Sequence, residues 1–176
     1  MKFSLKSTAI LSALAMLIAS PFAMAGSASA QPVPARGMNG SYLGGGVAGG
    51  VSTADGNDTS VGGNIQARFN DNRTPVSLRA AALVNGDGAA VMPMVTYDAP
   101  IARNTNLYAG AGYSLVTDEG SASPLGDKNS VVLTAGVETA VQQNVALYGD
   151  VKLGLDAFEN SNDPAVGVQL GAAYRF

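Results

Sequence analysis

The chain has no cysteine, no histidine and no tryptophan, and only 13% of its 176 residues are charged. Each shortage excludes something. Without cysteine there is no disulfide framework, so an exported chain must take its stability from burial or from a bilayer. Without histidine or cysteine, the Ser-His-Asp and Cys-His nucleophilic arrangements are ruled out. No two acids are spaced for a carboxylate-only mechanism, so the chain reads as no enzyme, with no metal and no cofactor. Beyond the N-terminal segment no run of about 18 apolar residues occurs, which excludes a spanning helix. Cations are few, which argues against nucleic acid as a partner, since that role needs basic surface to neutralise phosphates.

The first residues have the pattern of a secretory signal. Lys2 and Lys6 precede an apolar run from Ala9 to Ala19, Pro21 breaks it, and Ala23-Met24-Ala25 gives a small-residue cleavage site. The run is too short to cross a hydrocarbon core, which takes about 20 residues. Residues 1–25 are therefore expected to be a cleaved signal peptide, with Ala28-Ser29-Ala30 as the alternative site after residue 30. Removing Lys2 and Lys6 leaves 8 cations against 13 anions, a net charge of −5. Residues 26–40, small, polar and Pro-containing, read as a short periplasmic lead that acts only as a tether.

What the chain has in quantity is alternation. In Pro164 to Phe176 (PAVGVQLGAAYRF), Val166, Val168, Leu170, Ala172, Tyr174 and Phe176 share one wholly apolar face. Gly167, Gln169, Gly171, Ala173 and Arg175 share the other. That is the period of a strand with two different neighbours. The ending Tyr174-Arg175-Phe176 resembles the C-terminal signal strand of bacterial outer-membrane β-barrels. That resemblance implies that the barrel-assembly machinery reads Tyr174 and Phe176 during insertion.

Seven further segments alternate in the same way: Ser41–Val51, Ser60–Phe69, Val76–Asn85, Gly88–Asp98, Thr105–Val116, Asn129–Val141 and Asn144–Leu155. Each is near 10 residues, which suits a tilted strand crossing a bilayer. Open edges in lipid leave backbone groups unpaired, so the sheet must close. The expected fold is all-β, an eight-stranded antiparallel up-and-down transmembrane β-barrel over residues 41–176. Pro93 predicts a bulge or weak pairing in the fourth strand. Along this length the chain is similar to the small barrels of the OmpA transmembrane domain, OmpX and opacity-type surface proteins. The resemblance implies the cell outer membrane as location and outer-membrane lipid as surroundings.

An even strand number puts both ends of the barrel chain on one side, expected to be the periplasm. Three of the four outward links are then the longest and carry most of the acids; the Asn85-Gly86 hairpin turn is the exception. Tyr42, Phe69, Tyr97, Tyr108, Tyr174 and Phe176 fall near periplasmic strand ends as an aromatic girdle, although parity turns Tyr42 and Tyr108 inward. Gly44–Gly49 (GGGVAG) matches G-x-G-x-x-G but lacks the βαβ setting that dinucleotide binding requires. Asp55-Gly56-Asn57-Asp58 offers oxygen ligands without a full calcium loop, so solvation is its expected role.

The inward charges are the candidate site: Arg68, Arg79, Lys152 and Arg175 against Glu138 and Asp150, with Asp98 near the rim. An eight-stranded barrel is just wide enough for side chains to fill it, and buried charges must pair. The expected pairing sets Glu138 among Arg68 and Arg79, and Asp150 beside Lys152. Many other inward positions are Gly, Ala or Ser, which leaves room for water. The leading expectation is a structural or surface-interaction barrel, with a possible partner at the acidic outer loops. A small low-conductance porin is the alternative, and a soluble lipocalin-like barrel with its apolar face inward is a third.

Overall fold

The computed structural model describes residues 36–51, 59–71, 73–86, 88–117, 123–159 and 163–176. The signal peptide, the lead up to residue 35, Asp55 and Asp58, and Asp118 and Glu119 lie outside the described residues. Eight strands follow one another: β1 (Tyr42–Val51), β2 (Thr59–Asn70), β3 (Val76–Val84), β4 (Ala89–Ala102), β5 (Thr105–Val116), β6 (Ser130–Gln142), β7 (Val145–Leu155) and β8 (Ala165–Arg175). Each pairs antiparallel with the next, and β1 pairs with β8 from Tyr42↔Arg175 to Val51↔Val166, closing the barrel.

The period-2 pattern sorts the side chains. Leu43, Ile65, Leu78, Val95, Leu133, Leu147 and Leu170 are exposed on the outer face, while the polar and charged residues between them turn into the lumen. A wall whose outside is apolar throughout and whose backbone pairs around the full circle is the arrangement hydrocarbon demands. It is the reverse of the lipocalin-like expectation. Phe69, Tyr97, Tyr174 and Phe176 stand exposed at the end where β1 begins and β8 finishes, here the proximal end. Tyr42 and Tyr108 do not join them; both are buried in the lumen. Tyr113 is exposed near the opposite, distal end.

Three features differ from the sequence reading. First, β4 runs past Asp98 to Ala102, because Pro100 is tolerated at a register shift between Pro100 and Ala102 at the strand end. The link to β5 is thus a two-residue turn, Arg103-Asn104. Second, of the two effects expected at Pro93 the weak pairing occurs and the bulge does not. The β4–β5 ladder omits Met92 and Pro93 and resumes in the same register at Met94↔Gly112, as expected of a residue that cannot donate. Third, the lead is more than a tether: residues 36–40 fold across the proximal mouth.

The barrel closes tightly where small residues meet. Gly46 lies opposite Gly171 on β8, and a Cβ added there falls 2.0 Å from the Leu170 carbonyl oxygen. At Gly49 on the same strand the nearest atom is 3.7 Å away. Gly46→Ala is therefore expected to lose about 1–3 kcal/mol of stability, and Gly49→Ala to change it by less than about 0.5 kcal/mol. Urea unfolding of the bilayer-inserted protein, followed by heat-shifted gel mobility, measures both.

Candidate functional site: a closed ion network in the lumen

Register brings the charges together. Arg68 on β2 is paired directly with Arg79 on β3, a like-charge pairing that is unfavourable by itself. Two carboxylates resolve it. Asp98 takes Arg68 at 2.6 Å and Arg79 at 3.0 Å, and Glu138 takes Arg68 at 3.1 Å and Arg79 at 2.9 Å. The result is a closed ring of alternating charge in which every side chain is at least 95% buried. Ser77 donates to Asp98, and Arg79 Nε donates to Thr96 at 2.9 Å.

A second neutral pair lies beyond the first. Lys152 Nζ reaches Asp150 Oδ1 at 2.6 Å, and Asp150 Oδ2 accepts from Tyr108 at 2.6 Å and from Gln169 at 2.7 Å. Tyr108 joins the two groups, for the Arg79 guanidinium sits 3.7 Å over its ring, a close cation–π contact. Tyr42 accepts from Gln66 and Arg79 and stacks on Tyr148 at 5.9 Å. Tyr148 donates to Asn64, which donates to the Val47 and Leu170 carbonyls. Glycine makes this crowding possible: a Cβ on Gly136 falls 2.7 Å from Tyr108 Cζ, and one on Gly171 falls 2.4 Å from Tyr148 Cζ.

Both mouths are stopped by backbone and apolar side chains. At the proximal end Met38 is 2% exposed. Its N–H donates to Asn106 Oδ1 at 3.0 Å, and its carbonyl accepts from Asn106 Nδ2 at 2.7 Å and Arg68 at 3.2 Å. At the distal end Leu125 is fully buried among Ala48, Leu83, Met92, Val132, Ala157 and Ala165. It reaches there because Ser123 and Gly126 exchange backbone hydrogen bonds at 3.0 and 3.1 Å. Gly126 takes φ +105°, against the Ala157 carbonyl, a conformation that favours glycine. The distal half of the lumen is thus occupied largely by an apolar plug.

Arg68, Arg79, Glu138, Asp150 and Lys152 therefore lie in one connected interior. Arg175 does not join them. It sits at the proximal edge, where its Nη1 donates to the Gln143 carbonyl at 3.1 Å and its Nη2 to the Asn39 carbonyl at 2.7 Å. At a strand end a long side chain can leave the lumen for free carbonyls. Asp98 moves the other way, from the rim to the centre of the ring. Tyr174 and Phe176 point outward. Parity already turned Tyr42, Tyr108 and Gln169 inward; no pattern in the sequence marked Met38 or Leu125, whose places depend on how loops fold back. Asp150→Leu strands Lys152 together with two hydrogen-bond donors, so it is expected to cost about 3–5 kcal/mol. Lys152→Met should cost clearly less, because Asp150 keeps Tyr108 and Gln169 as donors. Urea midpoints of the two variants in vesicles test that order.

The same architecture recurs in solved structures. Neisserial surface protein A aligns with a TM-score of 0.57 at 20% identity, over 78% of this chain and 98% of that one. OprG from Pseudomonas aeruginosa gives 0.54 at 13% identity, over 80% and 98%. Ail, the attachment invasion locus protein of Yersinia pestis, gives 0.52 at 22% identity, over 79% and 100%. These likenesses establish the fold. Among curated proteins no sequence matches significantly. The family model for the outer membrane protein beta-barrel domain matches residues 10–176. With its closed eight-stranded wall, apolar outside and filled polar inside, the chain belongs to the outer membrane protein β-barrel domain family.

Proposed function

We propose that this outer-membrane barrel is a non-catalytic, non-conducting scaffold that works through the surface at its distal end. The observation that carries this reading is the filled lumen. A continuous set of paired charges and hydrogen bonds runs from Met38 to Lys152, and Leu125 caps the apolar half above it. An ion entering such an interior must displace charges that already neutralise one another, at the cost of unpairing them. What remains for a partner is the distal rim, which carries Asp127, Asp156, Glu159 and Asp163 among the described residues. On this reading residues 1–25 are removed on export, the distal end faces outward, and the assembly machinery reads Tyr174 and Phe176.

One observation favours the porin reading instead. Ser114, Ser130 and Thr134 face the distal lumen, buried and without hydrogen-bond partners, a polar strip along which water could thread the plug. Planar-bilayer recording separates the two readings. The mature protein, shown to be folded by heat-shifted gel mobility, is expected to be silent. Discrete current steps in the wild type, changed in size by Arg79→Ala, would establish the porin and end the scaffold reading.

A further inference from the structure

The charges outside the lumen are sorted by end. Two of the three proximal turns carry a guanidinium. Arg73 lies in the β2–β3 turn and Arg103 in the β4–β5 turn; Arg175 leans on the β6–β7 turn through Gln143. Arg36 joins them, because the Gly37 N–H donates to the Ala102 carbonyl beside Arg103. Arg36, Arg73 and Arg103 are exposed, and no ion pair engages the four among the described residues. The described anion near them is the Asp71 side chain, which accepts from the Arg73 backbone N–H. Elsewhere every described cation is paired: Arg68, Arg79 and Lys152 in the lumen, and Lys128 with Asp156 at the distal end. Unpaired positive charge is confined to one rim.

Depth identifies what that rim meets. Just inside it stand Phe69, Tyr97, Tyr174 and Phe176, all more than half exposed on the outer wall. Amphipathic and aromatic rings settle at headgroup level, so the arginines one turn beyond lie among the phosphates. A guanidinium presents a planar fork that matches phosphate oxygens two at a time. The distal rim, rich in acids, repels the same lipid. We propose that Arg36, Arg73 and Arg103 form a docking ring for the phosphate groups of an anionic phospholipid leaflet, which holds the proximal end at that face of the membrane.

Each guanidinium near an anionic surface strengthens association about fivefold, and the effect is screened by salt. The test places the refolded mature protein in phosphatidylcholine vesicles and compares spin-labelled phosphatidylglycerol with spin-labelled phosphatidylcholine by the fraction each barrel immobilises. The wild type is expected to favour phosphatidylglycerol severalfold, less so at high salt. R36Q/R73Q/R103Q, which alters only exposed side chains, should lose that preference while keeping its heat-shifted mobility. K128Q at the distal end should keep it. Equal immobilisation of both lipids, a preference that survives the triple variant, or one that falls equally in K128Q overturns the proposal. So does displacement by inorganic phosphate at constant ionic strength, which would make the ring a site for a free ion.

Discussion

Hydrocarbon on one side of a wall eight strands around is the constraint from which the rest follows. Backbone groups in lipid have no water to bond, so the strands must close on themselves. Closure at this strand number leaves an interior only wide enough for side chains. The period-2 alternation that puts Leu43, Ile65 and Leu133 outside also sends Arg68, Arg79, Asp98 and Glu138 inside. Charges forced into that space must cancel locally. They do so twice, in the ring of two arginines and two carboxylates and in the Lys152–Asp150 pair. Exchanging these ions for well-packed apolar groups need not weaken such a protein; the ring's evident effect here is to tie β2, β3, β4 and β6 together at one level.

The polar and apolar halves of the lumen divide the work. The proximal half is held by directional bonds that span the barrel, with Asn106 clasping the Met38 backbone and Tyr148 reaching Asn64. The distal half is filled mainly by apolar contact, as Met92, Leu83 and Val132 close around Leu125. Directional bonds fix register, because a one-residue slip turns every side chain to the opposite face. Apolar filling tolerates adjustment, which suits the half that receives a loop.

How much could be read in advance depended on the range of the cause. Strand identity, inward and outward faces, and the pairing partners of Glu138 and Asp150 follow from period 2 and from the rule that buried charges pair; both are local or nearly so. Arg175 departs because parity describes a strand's interior and says little at its last residue, where free carbonyls of Gln143 and Asn39 compete. Read as the last residue of its strand, Asp98 falls at the rim, whereas β4 runs on to Ala102 and takes Pro100 at a register shift. Met38 and Leu125 left no local trace at all. Their positions are set by Asn106 and by the pocket around Ala157, which only the closed barrel brings near.

The span of the lumen contacts also bears on how the barrel comes to exist. Asn64 meets a tyrosine 84 residues away, Gln66 a glutamine 103 residues away, and Arg79 a glutamate 59 residues away. Contacts of such separation are made late, after the entropy of closing long loops has been met. Until the barrel closes, Arg68 and Arg79 in a partly built sheet have Asp98 but lack Glu138, which reaches them only across the lumen. Half-inserted forms are therefore disfavoured on electrostatic grounds, and closure of the barrel is what completes the pairing of the two arginines with Glu138.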